Sequence, residues 1–287
     1  MRIVHTIEDV RNAVAEARGQ GLKIGLVPTM GALHDGHGSL IEAARAQCGY
    51  VVASVFVNPL QFGPAEDYAK YPRTLGEDAA YCEKRGADLV FAPEVREMYP
   101  SPSLTFVTVD KITDTLCGAS RPGHFRGVAT VVTKLFHIVL PDVAYFGQKD
   151  AQQAAVLKRM VSDLNFPLKI AIVPTFREPD GLATSSRNRY LSPDDRRAAL
   201  VLHRTLRGAM SLLQDGEREA EVIRSYLRAG IEAEPRAELD YADVVDPDTM
   251  HAVTGVIGHD VLLVVAAYFA GTRLIDNMPF SFAQEVR

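Results

Sequence analysis

Short apolar runs alternate with amphipathic stretches through the first 175 residues, and this alternation restricts the fold more than any other feature of the chain. Lys23 to Val27, Val51 to Val57, Asp88 to Phe91, Val143 to Phe146 and Leu168 to Val173 are rich in β-branched and aliphatic residues. They are too short for helices and are bounded by turn residues, so they are expected to be buried strands. Between them, helical patterns run over Ile7 to Arg18, His37 to Gln47, Gly76 to Arg85, Val128 to Val139 and Asp150 to Leu164. Thr6 is placed to cap the first, and Gly19 and Gly21 to end it. A strand–helix–strand–helix order implies a parallel sheet covered on both faces. Ligands of such sheets bind beyond the carboxyl ends of the strands, where the strand order reverses.

The pattern changes after Thr175. Ser192-Pro193-Asp194-Asp195 is a helix start with a cap, a proline in the first turn and two acids, leading a helix to about Leu213. A second helix is expected from Arg218 to Ala233. Strands follow at Leu239 to Val245, Val261 to Tyr268 and Thr272 to Asn277, with Ala270-Gly271 as a hairpin turn. The expected fold is therefore α/β: a Rossmann-like, doubly wound parallel sheet over residues 1–175, with a smaller C-terminal α+β domain over 176–287. The 287 residues exceed what one compact core usually needs. A net charge of -5, with scattered basic residues, argues against a nucleic-acid partner. No apolar stretch approaches the roughly 18 to 20 residues of a membrane span. Three cysteines, Cys48, Cys82 and Cys117, form no CxxC pair, which argues against a disulfide framework or a four-cysteine zinc site and fits a reducing cytoplasm.

Chemistry is concentrated in five segments, most at expected strand-to-helix junctions. Pro28-Thr-Met30-Gly31-Ala32-Leu33-His34-Asp35-Gly36-His37 offers free helix N–H groups and two histidines three apart. It lacks the GK[ST] of a Walker A loop and has no third zinc ligand nearby. Without the flanking strand and glycines, such a pair would be ordinary helix capping. Asn58-Pro-Leu-Gln61 follows the next strand, and its amides suit a ligand carrying hydroxyls and a carboxylate, or serve only as turn punctuation. Arg121-Pro-Gly-His124-Phe-Arg126 concentrates basic groups, as an anion contact or a solvated loop. Gly147-Gln148-Lys149-Asp150 with Gln153 puts a cation at another helix start, where Asp150 is also placed to cap. Asp180-Gly-Leu-Ala-Thr184-Ser185-Ser186-Arg187-Asn188 joins hydroxyls to a guanidinium at the domain boundary, as a phosphate-gripping lid or a polar linker.

Together the motifs PTMGALHxGH, FVNPxQF, YPRT, RPGHFxGV, FGxKDxQQ and DGLAxSSRN resemble, in order and spacing, those of the pantoate–β-alanine ligase family. The likeness spans Lys23 to Ser192 and continues more weakly to the C-terminus. The first and last motifs are also similar to the ATP signatures of the nucleotidyltransferase superfamily, which holds the class I aminoacyl-tRNA synthetases. The resemblance implies an enzyme in which the carboxylate of pantoate attacks the α-phosphate of MgATP. Pyrophosphate leaves, and the amine of β-alanine attacks the pantoyl adenylate to give pantothenate and AMP. It implies ATP contacts at Met30, Gly31, Ala32, Leu33, His34, Asp35, Gly36 and His37, at Gly147, Gln148, Lys149 and Asp150, and at Phe176, Thr184, Ser185, Ser186 and Arg187. Catalytic roles fall to His34, His37, Lys149 and Arg187, with His37 as proton donor. Asn58, Gln61 and Gln153 face pantoate or β-alanine. Mg2+ accompanies ATP, with Glu77 and Asp78 as acids able to support it through water, and a homodimer is expected. Cys117, Gln148 and Thr184 depart from the family, where Glu, Glu and an apolar residue are common. Two rivals share the nucleotide motifs: an adenylyltransferase that stops after nucleotide transfer, and a non-catalytic nucleotide-binding module.

Overall fold

The computed structural model describes residues 1–64, 66 and 68–282. Six parallel strands, β1 (Arg2–Val4), β2 (Ile24–Thr29), β3 (Tyr50–Val55), β4 (Leu89–Phe91), β5 (Val143–Gly147) and β6 (Lys169–Val173), form one sheet in the order β1-β4-β3-β2-β5-β6. The helices around it are α1 (Ile7–Gly19), α2 (Asp35–Gln47), α3 (Leu75–Lys84), the short α4 (Val95–Met98) and α5 (Cys117–Ser120), then α6 (His124–Val139) and α7 (Ala151–Asp163). Neighbouring strand residues face opposite ways. Leu26 packs with Phe136, Phe146 and Leu157 on the α1, α6 and α7 side, whereas Val27 packs with Ile41, Ala44 and Tyr145 on the α2 side. Both faces are thus apolar, and each fully buried Leu or Val contributes about 1.5–3 kcal/mol.

From β2 the chain winds one way to β3 and β4, then returns to the other side of β2 for β5 and β6. The order reverses between β2 and β5. These two pair only at Gly25–Val143 and Leu26–Ala144, whereas β2 and β3 stay paired to Thr29–Val55. The carboxyl ends of β2 and β5 therefore part, opening a crevice at the position where doubly wound sheets bind ligands.

The second domain packs α8 (Pro193–Gln214) and α9 (Ala220–Glu232) on an antiparallel sheet of β7 (Glu238–Val245), β8 (Val261–Phe269) and β9 (Thr272–Phe280). Ser192 accepts from Asp195 N–H at the start of α8. Ala270 and Gly271 both take positive φ, 46° and 80°, as a two-residue hairpin turn between right-twisted strands requires. A further apolar cluster joins the domains, with Cys117, Phe125 and Val156 against Val245, Leu262 and Val264.

One strand is absent from the sequence expectation, and two boundaries differ from it by three residues or more. The edge strand β1 is only three residues long, too short to show a period. Helix α6 begins at His124 rather than Val128, because Gly123 in the left-handed region turns the basic segment into the first helical turn. Strand β9 continues through Pro279 to Phe280, which its edge position permits.

Candidate active site

Where β2 ends, the chain makes a tight turn into α2. Thr29 Oγ1 donates to Ser54 O at 2.6 Å and accepts from Gly31 N–H at 3.2 Å. The next two N–H groups, of Ala32 and Leu33, donate to the two oxygens of Asp78 at 3.1 and 2.8 Å, and Thr74 donates to the same carboxylate at 3.1 Å. Asp78 is 3 % exposed. A side chain on Gly31, at φ 82°, would meet Asp78 Oδ2 at 2.9 Å, so this glycine serves the clamp. The clamp occupies both Asp78 oxygens and Glu77 is exposed, so neither residue is arranged to support magnesium.

The clamped turn delivers His34 as the N-cap of α2, whose carbonyl accepts from His37 N–H at 2.8 Å. The His34 and His37 ring centroids lie 4.1 Å apart. A side chain on Gly36 would come within 3.0 Å of the His34 ring. Burial, then the nearby cations Lys149 and Arg189, lower the His34 pKa to about 4. Burial and then His34 lower His37 to about 3, against the opposing pull of Asp150. Both rings are therefore neutral near pH 7, and each keeps a buried Nδ1 without a hydrogen-bond partner. A buried polar atom left in this way is costly unless a ligand satisfies it. At these depressed values the His37 ring is neutral near pH 7 and offers an N–H donor.

Across the crevice, β5 ends in a single turn, Gln148–Asp150, that leads into α7. Lys149 Nζ sits 3.8 Å from Asp150. Beyond β6, Phe176 O accepts from Thr184 N–H at 3.0 Å, and Ser185 Oγ accepts from Arg187 N–H at 3.3 Å, which folds 184–187 back over the crevice. A cavity of about 220 Å³ lies among these segments. Met30, His34, Gly36, His37, Gly147, Lys149, Asp150, Phe176 and Thr184 through Arg187 all line it. Gly31, Ala32 and Leu33 lie behind its wall, Asp35 turns away to Tyr81 and Arg85, and the Gln148 amide donates to Asn277 at 2.9 Å.

The same cavity is also lined by the apolar Phe56, Phe62, Val128, Val131 and Val132 and by the amides of Gln61 and Gln153. Asn58, 1 % exposed, donates to Gln61 Oε1 and Gly127 O, both at 3.1 Å, and accepts from Tyr99 at 2.9 Å. It borders the cavity while orienting Gln61, whose own NH2 group donates to the Met30 sulfur at 3.1 Å. The basic segment folds in on itself. Arg121 makes a two-pronged pair with Glu66 at 2.7 and 2.6 Å, and these bonds hold Glu66 below the usual carboxylate range although burial alone would raise it. His124 Nδ1 donates to Gln61 O at 2.9 Å, so its Nε2 accepts from Arg121 at 3.1 Å; burial and then Arg121 lower its pKa to about 4. Arg126 lies over the Phe106 ring at 4.5 Å. Sequence reading missed the Asp78 clamp, Glu66 and the C-terminal contacts of Gln148, all of which depend on partners remote along the chain.

A doubly wound sheet with neutral imidazoles, a lysine and a serine–arginine loop around its switch-point crevice defines an α/β enzyme equipped for anionic substrates. A family model described as pantoate-beta-alanine ligase matches residues 2–279. The pantothenate synthetase of Moorella thermoacetica is 56 % identical over 278 residues, covering 97 % of this chain and 98 % of the relative. That of a Thermoanaerobacter species is 54 % identical over 278 residues, with the same coverage. Among solved structures, pantothenate synthetase from Thermus thermophilus superposes with a TM-score of 0.91 at 46 % identity, covering 97 % and 99 % of the two chains. The Francisella tularensis pantoate-beta-alanine ligase, crystallised with beta-gamma ATP and beta-alanine, gives 0.78 at 34 % identity and 97 % of each. The chain belongs to the pantoate–β-alanine ligase family and is a ligase.

Proposed function

We propose that this ligase condenses (R)-pantoate with β-alanine at the expense of ATP, through a pantoyl adenylate held in the 220 Å³ cavity. The observation that carries the reading is the mixed lining of that cavity. Its apolar wall and two amides suit a branched hydroxy acid: the valines take its methyl groups while Gln61 and Gln153 bond its hydroxyls and carboxylate. The same lining includes His34, His37, Lys149 and Ser185 to Arg187, the groups that would hold a triphosphate.

In the first step the pantoate carboxylate attacks the α-phosphorus, the bond to the β-phosphate oxygen breaks and pyrophosphate departs with the electron pair. Lys149, Arg187 and the two imidazole N–H groups stabilise charge on the phosphate oxygens and the leaving group. In the second step the free amine of β-alanine attacks the acyl carbon, the bond from that carbon to the AMP phosphate oxygen breaks, AMP leaves with the electron pair, and the amine proton passes to solvent. Phe176 and the 184–187 loop shield the mixed anhydride from water. Asp150 is the one carboxylate among the described residues lining this cavity. It would be the residue to hold a Mg2+ that arrives on ATP, which would neutralise phosphate charge there. In the same reading the chain works as a homodimer in the cytoplasm, and its three cysteines are buried and unpaired.

Pantoate-dependent exchange of pyrophosphate into ATP tests the first step, and AMP release requiring both pantoate and β-alanine tests the whole. Formation of a dinucleotide product without any need for the amine would overturn the reading in favour of an adenylyltransferase.

A further inference from the structure

Two adjacent residues of the C-terminal domain hold both segments that face the proposed phosphate site. Asn277 and Asp276, on β9, are 4 % and 3 % exposed. The Asn277 amide uses both donors on successive backbone carbonyls, Gln148 O and Lys149 O, each at 2.9 Å, and its Oδ1 accepts from Gln148 Nε2 at 2.9 Å. It therefore ties down the turn that projects Lys149. Asp276 takes a two-pronged bond from Arg177 at 2.7 and 2.9 Å and accepts from Asn277 N–H at 2.8 Å. Arg177 also donates to Gly181 O at 3.1 Å, and Arg177 and Ala183 form a β-bridge, so this pair anchors the loop that presents Ser185 to Arg187. Neither β9 residue lines the 220 Å³ cavity, although both border an adjoining cavity of about 600 Å³ that Lys149, Ser185 and Arg187 also line.

We propose that Asn277 and Asp276 are positioning residues that fix the spacing between Lys149 and the Ser185–Arg187 segment, and thereby set how tightly and productively the enzyme holds the phosphates of its nucleotide. The proposal rests on the phosphate site described above. A planar amide with two N–H donors reaches two successive carbonyls at once. Aspartate has no donor to offer, and alanine leaves both carbonyls unpaired in a buried place. A displacement of about 1 Å at a reacting group costs on the order of 10²-fold in rate, so loosening this turn acts on the nucleotide step before any other.

The test compares Asn277→Ala, Asn277→Ser and Lys149→Met with the wild type, using thermal unfolding, KM for each substrate and pantoate-dependent pyrophosphate exchange. For folded Asn277 variants, KM for ATP rises and exchange falls by about tenfold or more, while KM for β-alanine stays within about twofold. ATP kinetics within about twofold of wild type overturn the proposal, as does a loss shared equally by all three substrates in step with a smaller folded fraction. If neither Asn277 variant folds, Arg177→Lys, which removes the two-pronged bond to Asp276, decides by the same criteria. Lys149→Met separates the two levels. If it abolishes exchange while the Asn277 variants stay within about twofold of wild type, only the bracket falls. If it leaves ATP kinetics unchanged, the phosphate site itself is misplaced.

Discussion

His34 and His37 enter the cavity uncharged, and this fixes what each can do. A neutral imidazole gives one N–H to a phosphate oxygen and contributes most when charge builds on the leaving group. Removing one such preorganised donor costs about 10² to 10³ in rate. His37→Ala is expected to slow pantoate-dependent pyrophosphate exchange by about 10² or more, with the fold intact by circular dichroism. The depressed values also predict a pH dependence of stability. His34, His37 and His124 titrate near 4, 3 and 4 in the folded chain, against 6.5 for an ordinary histidine. Above 6.5 both states are neutral, and folding gains or loses nothing from these groups. As pH falls below 6.5 the unfolded chain takes up protons that the folded chain refuses, so stability drops continuously until the folded pKa values are passed. Urea unfolding at pH 7 and pH 5 should show the loss, and His124→Gln should make it smaller. The histidine pair was legible because HxxH follows an apolar strand and is flanked by glycines. Its neutrality was not, since that follows from burial and from Lys149, more than a hundred residues away in the chain.

At the scale of elements, the strand-to-helix corners were readable because apolar runs of strand length end in Gly, Pro and His where the chain turns. The supports of those corners were not readable. Asp78 lies on the solvent-patterned start of a helix and resembles any first-turn acid, yet it is buried 46 residues from the Ala32 N–H it accepts. Substituting Asp78→Asn keeps the size but puts an amide NH2 where one of the two oxygens stood, so one of the two backbone N–H groups loses its acceptor, at a cost of about 1–3 kcal/mol. Gly31→Ala adds a methyl within 2.9 Å of that carboxylate at a positive φ. Strain of this kind costs on the order of 1–3 kcal/mol. Each change should lower the melting temperature and slow the adenylate-forming step, because the same turn delivers His34 and His37. Unchanged exchange kinetics in a destabilised Asp78→Asn protein would show that the clamp serves folding alone.

For the whole molecule, the alternation of patterns gave the two domains, but nothing in the sequence announced how they are joined. Besides the β9 bracket, a second strut crosses the boundary. Arg273 of β9 pairs with Asp240 of β7 at 2.6 and 2.9 Å and donates to Cys117 of α5 at 3.3 Å. Ser120 of α5 donates to the same Asp240 at 2.9 Å, and Tyr241 contacts the Cys117 sulfur at 3.3 Å. The strut borders a larger cavity of about 600 Å³ whose lining also includes Lys149 and Asp150, but it makes no hydrogen bond to the Gln148–Asp150 turn among the described residues. Its side chains are mostly buried, at 15 % and 16 % exposure for Arg273 and Asp240. Removing the cation leaves Asp240, among the described residues, with the Ser120 hydroxyl alone in a place water reaches poorly, whereas a fully exposed pair would contribute little. Arg273→Met keeps most of the packing volume and should destabilise the protein by about 1–3 kcal/mol, below the full cost of breaking a deeply buried pair because some solvent remains. The bracket at Asn277 stays in place, so KM for ATP in the folded variant should remain close to wild type. Chemical unfolding and steady-state kinetics on one preparation check both halves. A variant as stable as wild type would mean the domains are held by their shared apolar cluster and the bracket alone. A raised KM for ATP would mean that the strut, too, sets the geometry of the nucleotide corner.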